Sequence, residues 1–112
     1  MTDTIKIEPA HLQIIRTILD AHLPSGVQVW VFGSRVKHAA TRASDLDLAL
    51  EGESRLDNST MTKLEYALEM SVLPYEVDVV DLNDISNGFR DIINAQRIAL
   101  PILQVPGTDS TS

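Results

Sequence analysis

Residues 45–50 read Asp-Leu-Asp-Leu-Ala-Leu, and this alternation constrains the fold more than any other stretch of the chain. Side chains on a β-strand point in turn to the two faces of a sheet. A strand from Asp45 to Leu50 would therefore bury its leucines on one face and place Asp45 and Asp47 together on the other. The pattern predicts a sheet with one packed face and with paired carboxylates on the opposite face.

Helix and strand patterns alternate along the rest of the chain. Apolar residues at helical spacing follow Glu8-Pro9 and again Asn58, and a proline comes after the end of each run. The predicted helices are 9–23, 58–72 and a third that is capped by Asn83 or Asp84, and the predicted strands are 27–32, 45–50, 75–82 and an edge segment at 97–103. This order indicates an α/β or α+β domain with helices packed on a small sheet.

The same spacing predicts which side chains face the core. We expect buried stripes on the second and third helices, formed by Met61, Leu64, Leu68 and Val72 and by Phe89, Ile92 and Ile93. Trp30, on the first strand, is expected to be a core aromatic rather than a platform for base stacking. Asp81 is expected to cap the end of the third strand rather than to bind a ligand.

The size and charge of the chain argue against several classes of protein. A chain of 112 residues with 44% hydrophobic residues accommodates one domain, which we place at residues 1–103, before a disordered tail at 104–112. The formal net charge of −7 argues against direct binding of nucleic acid, because an acidic surface repels phosphate. No apolar run is long enough to span a bilayer. The absence of cysteine and of a signal-peptide pattern predicts a cytoplasmic location.

A third acidic residue extends the aspartate pair into a candidate metal site. Asp78 lies on the strand predicted at 75–82, and it would join Asp45 and Asp47 if the two strands were neighbours. Three carboxylates on one sheet face repel one another, so we expect a divalent cation among them. Mg²⁺ prefers carboxylate oxygens and substrate phosphates, and two such ions can assist an in-line displacement.

The turn after the first strand could bind the phosphates that such a metal accompanies. Gly33-Ser34 ends that strand, where glycine allows close approach of a ligand and exposed amide groups bind phosphate. A short helix could begin there. The basic stretch that starts at Arg35 contains no acid before Ser44, so it can balance the charge of a triphosphate.

Each of these features has a plainer explanation when it is taken alone. Aspartates on an exposed strand face are usually solvated, a Gly-Ser pair after a strand is usually only a turn, and Asp78 could be an ordinary surface residue. The functional interpretation depends on the combination of strand, Gly-Ser turn, basic loop, Asp-x-Asp strand and third acidic strand in one short chain.

This combination resembles the signature of the polymerase-β-like nucleotidyltransferase superfamily. In that signature Gly-Ser precedes Asp-x-Asp, and a third acid follows on a later strand. Here ten residues separate Gly33-Ser34 from Asp45-Leu46-Asp47, which is similar to the minimal nucleotidyltransferases of bacteria and archaea. The segments FGSR, SDLDLAL, EVDVVDL and GFRDII are similar to that branch as well. The resemblance implies the polymerase-β-like fold, with helices packed on a short mixed sheet.

The resemblance also implies a role for each residue of the motif. The first two aspartates would bind two Mg²⁺ ions, and the third would complete the site and help to deprotonate the acceptor. The turn would hold the phosphates of ATP or another nucleoside triphosphate. The residues so implied are Asp45, Asp47 and Asp78 as metal ligands and catalytic groups, and Gly33, Ser34 and Arg35 as nucleotide-binding groups.

Minimal members of the superfamily work with a separate all-helical protein of the HEPN type, so the resemblance implies such a partner and a hetero-oligomer. In several pairs the HEPN protein is a toxic RNase and the nucleotidyltransferase is its antitoxin, which in some cases transfers AMP from ATP to a tyrosine of the toxin. The first hypothesis is therefore an Mg²⁺-dependent enzyme that transfers a nucleoside monophosphate to its partner. The alternative is a non-catalytic nucleotide-binding subunit or antitoxin that neutralises or completes the partner by contact. An acidic structural domain without a ligand is a third class.

Overall fold

The computed structural model describes residues 7–33 and 45–100. Its helices are α1 (Pro9–His22), α2 (Asn58–Glu69) and α3 (Asn87–Gln96), its strands are β1 (Gln28–Phe32), β2 (Leu46–Glu51), β3 (Val77–Asp81) and β4 (Ile98–Ala99), and a 3-10 turn spans Leu82–Asp84. None of the described helices is long and apolar enough to cross a membrane. Ser34 and Arg35, the helix expected to follow them, and the tail predicted at 104–112 lie outside the described residues.

The four strands form one mixed sheet in the order β3-β2-β1-β4. Strand β1 is antiparallel to both β2 and β4, whereas β2 and β3 are parallel. A parallel pair needs a long crossover connection, and α2 supplies it. The short strand β4 lies at one edge of the sheet, which confirms the extended edge conformation expected for this part of the 97–103 segment.

One face of the sheet packs on α1 and α2 and forms the main core. Leu46, Leu48 and Leu50 are all fully buried on this face, as the alternation in their strand predicts. They pack with helix residues that include Ile15, Leu19, Leu64 and Leu68. Burial of this kind contributes about 1.5 to 3 kcal/mol for each large aliphatic side chain, so the alternating leucines determine which face of β2 turns inward.

The opposite face is not left to solvent along its whole length, because α3 covers part of it. Ile93 from α3 packs with Phe32, Ala49 and Leu82 in a second, smaller core cluster. Trp30 packs against this cluster and donates a hydrogen bond from Nε1 to Glu51 Oε1 at 2.9 Å, but it is only half-buried and is not the core aromatic that was expected. The end of the face that carries the aspartates remains uncovered by this cluster.

Helix α2 ends earlier than its apolar spacing predicts. It ends at Glu69, and Val72 is 84% exposed instead of facing the core. The Ser71 hydroxyl donates to the carbonyl oxygen of Leu68 at 2.6 Å. The Ser71 amide also donates to this carbonyl, at 3.2 Å, so the chain leaves the α-helix here through a tightened three-residue turn.

Helix α3 begins later than predicted and buries fewer residues. Its cap is Ser86, whose side chain accepts a hydrogen bond from the Phe89 amide, so the prediction of Asn83 or Asp84 was wrong. Those two residues belong to the 3-10 turn instead. Only Ile93 of the predicted stripe is buried, whereas Ile92 is 57% exposed, because the helix contacts the sheet along a narrow line.

Candidate active site

The parallel pairing of β2 with β3 brings two of the predicted aspartates side by side. Asp47 and Asp78 are register partners on these neighbouring strands. Their side chains point to the same face, opposite the buried leucines. The strand adjacency that the metal-site prediction required is therefore present.

Asp45 completes a compact acidic group together with Glu76, an acid that the sequence prediction did not include in the site. Asp45, Glu76 and Asp78 each offer a carboxylate oxygen, and these oxygens lie within 4.8 Å of one another on exposed side chains. Asp45 directly precedes β2, and Glu76 directly precedes β3. Glu76 shares the face of Asp78 by the same two-residue alternation that relates Asp45 to Asp47, so the Glu-x-Asp pattern was the available signal.

Asp47 lies deeper than the other three acids, and its environment disfavours its charge. Burial raises the pKa of Asp47 above its ordinary value of 3.8, and the negative charges of Asp78 and then Asp45 raise it further. A cation held among these side chains would remove this repulsion. The donor atoms are all carboxylate oxygens, which are the ligands that hard divalent cations such as Mg²⁺ prefer, so the residues fit such an ion.

Gly33 lies directly against the carboxylate of Asp47. Its φ angle is +86°, in the left-handed region that favours glycine. A Cβ atom at this position would overlap Asp47 Oδ2 and would lie 3.2 Å from Asp47 Cγ. The backbone of Gly33 therefore packs closely against the Asp47 side chain on β2, and only glycine can occupy this position without a collision. Ser34 and Arg35, which continue the predicted phosphate-binding turn, lie outside the described residues.

The last residue of α3 holds the Gly33 turn in place. The Gly33 amide donates a hydrogen bond to Gln96 Oε1 at 2.7 Å, across 63 residues of sequence. Sequence reasoning missed Gln96, because nothing in the local pattern of α3 indicates that its end lies beside the end of β1. The bond gives α3 a positioning role at the candidate site.

Asp81 is separate from the acidic group and has a structural role, as expected for a strand-end residue. Its side chain is buried, with 5% of its surface exposed. Its carboxylate accepts hydrogen bonds from the amides of Leu56 at 2.7 Å and Asn83 at 2.9 Å. It thereby ties the segment before α2 to the end of β3.

Comparisons with known proteins agree with this architecture. The family model described as "Polymerase beta, Nucleotidyltransferase" matches residues 13–100. A curated relative from Haemophilus influenzae, named "Probable protein adenylyltransferase MntA", is 43% identical over 89 residues, which are 80% of this chain and 77% of that protein.

Solved structures show the same fold. A chain from a crystal structure of a toxin–antitoxin with AMP-PNP superposes with a TM-score of 0.68 at 27% identity, over 89% of this chain and 78% of that one. A chain from the tri-AMPylated Shewanella oneidensis HEPN toxin in complex with MNT antitoxin has a TM-score of 0.65 at 24% identity, over 94% and 79% of the two chains, and supports the fold. These matches confirm the fold expected from the motif. Because the family model spans most of its length and the Haemophilus relative is 43% identical, this chain belongs to the polymerase beta nucleotidyltransferase family, in its minimal branch.

Proposed function

We propose that this nucleotidyltransferase moves AMP from ATP to an acceptor hydroxyl on a HEPN-type partner protein, with Mg²⁺ at the acidic site. The observation that carries the proposal is the register of Asp47 with Asp78 on parallel neighbouring strands, beside the glycine turn. Two comparisons support the acceptor and the nucleotide. The Haemophilus relative is named a probable protein adenylyltransferase, and similar folds occur in toxin–antitoxin structures with AMP-PNP or an AMPylated HEPN toxin.

The proposed roles follow from the chemistry of each group. Asp45 and Asp47 hold the metal, and Asp78 completes its ligands and accepts the proton of the acceptor hydroxyl. The acceptor oxygen forms a bond to the α-phosphorus as the bond to the β-phosphate oxygen breaks, and pyrophosphate leaves. Mg²⁺, as two ions in the proposed site, would supply charge neutralisation at the phosphates.

The proposed phosphate-binding turn comprises Gly33 and Ser34, with Arg35 nearby. The proposal is supported by Gly33, which adopts a left-handed conformation and lies against Asp47, so phosphates bound beside Gly33 would lie next to the metal ligands. The chain would act in the cytoplasm as the antitoxin of a toxin–antitoxin pair, in a hetero-oligomer with its partner. Transfer of AMP would add negative charge and bulk to the toxin and so inactivate it.

The test is transfer of label from [α-³²P]ATP to a purified HEPN-type partner in the presence of Mg²⁺. We expect wild-type protein to label the partner, and Asp45→Asn/Asp47→Asn to lose at least about 10³-fold in rate, since electrostatic groups at a reacting centre each contribute about 10²- to 10³-fold. Asp20→Asn, an exposed position on α1, is the matched control and should retain activity.

Toxicity in cells separates catalysis from the contact-only alternative. If Asp45→Asn/Asp47→Asn protects cells from the partner as well as wild type does, contact is sufficient and transfer is not the protective step. Absence of label transfer by the wild-type protein, with ATP and every other nucleoside triphosphate, would contradict the enzymatic proposal itself.

A further inference from the structure

Within residues 7–33 and 45–100, strand β3 has an open edge beside the candidate active site. Among these described residues it is the terminal strand of the sheet and pairs only with β2. The Leu46 amide donates to the Glu76 carbonyl at 2.9 Å, which fixes the side of the strand toward which each peptide group points. Because peptide groups alternate along a strand, the amides and carbonyls of Val77 and Val79 point away from β2. Among the described residues, no backbone partner outside the sheet bonds to these groups.

A groove of about 750 Å³ follows this edge, between the C-terminal half of α2 and β3. Its apolar lining includes Leu68 and Val79, and its acidic lining includes Glu65, Glu69 and Asp78. The groove is therefore continuous with the candidate site, since Asp78 belongs to both. A chain lying in the groove would pass directly beside the carboxylate that is proposed to accept the acceptor proton.

The charge of the groove indicates the chemistry of its occupant. Glu65, Glu69 and Glu76 line it and are exposed, and no ion pair joins any of them to another residue in the part of the chain that the structure describes. An acidic groove attracts basic peptide and repels nucleic acid, as does the net charge of −7. Large apolar side chains are also exposed at the same end of α2, and they are Tyr66 (63%), Met70 (64%) and Val72 (84%).

We propose that the acceptor segment of the protein partner is an extended basic peptide that adds to β3 as a further strand. Its backbone would bond to the free amides and carbonyls of Val77 and Val79, and its basic side chains would lie against Glu65 and Glu69. This inference rests on the proposed function, because it describes how the acceptor reaches Asp78. Strand addition would hold the acceptor hydroxyl in a fixed register relative to that carboxylate.

The direct test uses peptide probes and amide hydrogen exchange measured by NMR. One labelled peptide has lysine alternating with valine around a single tyrosine, and the matched peptide has glutamate in place of lysine. We expect only the basic peptide to bind, and at saturation we expect it to slow exchange of the Val77 and Val79 amides at least about tenfold. The Asp78 amide, which faces β2, should be unchanged. Equal binding of the acidic peptide, no binding of the basic one, or binding without protection of Val77 and Val79 would overturn the inference.

A charge-reversal pair tests the groove with the protein partner. Glu65→Lys/Glu69→Lys should raise the KM for the partner about tenfold or more and leave the KM for ATP unchanged. Each substitution replaces an attraction between the glutamate and the basic acceptor segment by a repulsion between two positive charges. Asp20→Lys/Glu53→Lys changes the net charge equally at exposed sites outside the groove and should leave both KM values unchanged.

The two experiments separate failure of the groove from failure of the proposed function. If the KM for the partner is unchanged in Glu65→Lys/Glu69→Lys, the acceptor does not bind in the groove, but the proposed nucleotidyl transfer is not contradicted. If the wild-type protein transfers nothing, the proposed function fails, and the peptide exchange experiment alone decides whether the edge of β3 binds a basic strand.

Discussion

Replacement of Gly33 by alanine should disturb the candidate site through one identified collision. The added Cβ would overlap Asp47 Oδ2, and the residue would also have to keep a φ angle of +86°. Gly26 offers a matched control within the same chain. Its φ angle is +90°, but a Cβ there has no atom within 4 Å. The two substitutions therefore share the backbone penalty and differ in the collision.

The expected magnitudes follow from these two terms. A non-glycine residue in the left-handed region costs about 1 to 2 kcal/mol, which is the full expected effect of Gly26→Ala. At Gly33 the Asp47 carboxylate must also leave its rotamer or the turn must move, which adds about 1 to 2 kcal/mol. We expect Gly33→Ala to lower the free energy of unfolding by about 2 to 4 kcal/mol. Displacement of Asp47 should also reduce nucleotidyl transfer about 10²-fold, whereas Gly26→Ala should retain activity.

The free energy of unfolding is measured by urea titration, in which unfolding is monitored by the fluorescence of Trp30, the single tryptophan of the chain. A double-mutant cycle with Asp47→Ala isolates the collision, because Gly33→Ala in that background should cost no more than Gly26→Ala. We expect a coupling energy of about 1 to 2 kcal/mol. Equal effects of the two glycine substitutions, or a coupling within the usual additivity error of about 0.5 kcal/mol, would refute the proposed contact.

Three further predictions concern the charges and hydrogen bonds around this site. Because the pKa of the Asp47 carboxyl is raised, the folded protein binds a proton at Asp47 more tightly than the unfolded chain does. The protonated Asp47 therefore adds to the stability of the fold below pH 3.8, and this contribution is lost as the pH rises through the pKa of Asp47 in the folded protein. Without Mg²⁺, Asp47→Asn should therefore be more stable than wild type at neutral pH, with the difference shrinking in acid or on addition of Mg²⁺; a constant difference in urea titrations would contradict this. Asp81→Ala should lower the free energy of unfolding by about 2 to 4 kcal/mol, because the amides of Leu56 and Asn83 lose their acceptor. The control Asp84→Ala removes only an exposed ion pair and should change the free energy of unfolding by less than about 1 kcal/mol. Equal effects of the two substitutions would show that the hydrogen bonds to Asp81 contribute nothing. Gln96→Ala should lower stability by about 1 kcal/mol and should also lower transfer, because the Gly33 amide loses its acceptor; unchanged transfer would argue against a positioning role.

Local patterns were sufficient for the helices and strands and for most of the acidic group. The alternation in β2 placed the leucines inward and the aspartates outward, and the structure confirms both faces. Helix ends were less predictable. Val72 and Ile92 follow an apolar spacing but are exposed, because α2 ends at Glu69, before Val72, and because α3 contacts the sheet along only one line.

Two residues near the site could not be identified in the same way. Glu76 carries a weak local signal, since it alternates with Asp78, but its proximity to Asp45 depends on strand pairing. Gln96 carries no signal, because its bond to the Gly33 amide exists only after α3 has packed across the second face of the sheet. Such contacts join residues that are distant in sequence, and no local period reports them.

By itself, the sequence determined which side chains share a face of each strand, which residue types could bind a metal and a phosphate, and which family the motif resembles. These properties depend on strand period, glycine geometry and ligand chemistry, all of which are local. Only the tertiary structure decided that β3 pairs in parallel with β2, that Asp47 and Asp78 are register partners, and that β3 is the edge strand of the sheet formed by the described residues. Pairing and register result from burying the leucines of β2 against α1 and α2 while α2 crosses over the sheet, and that packing is a property of the whole domain.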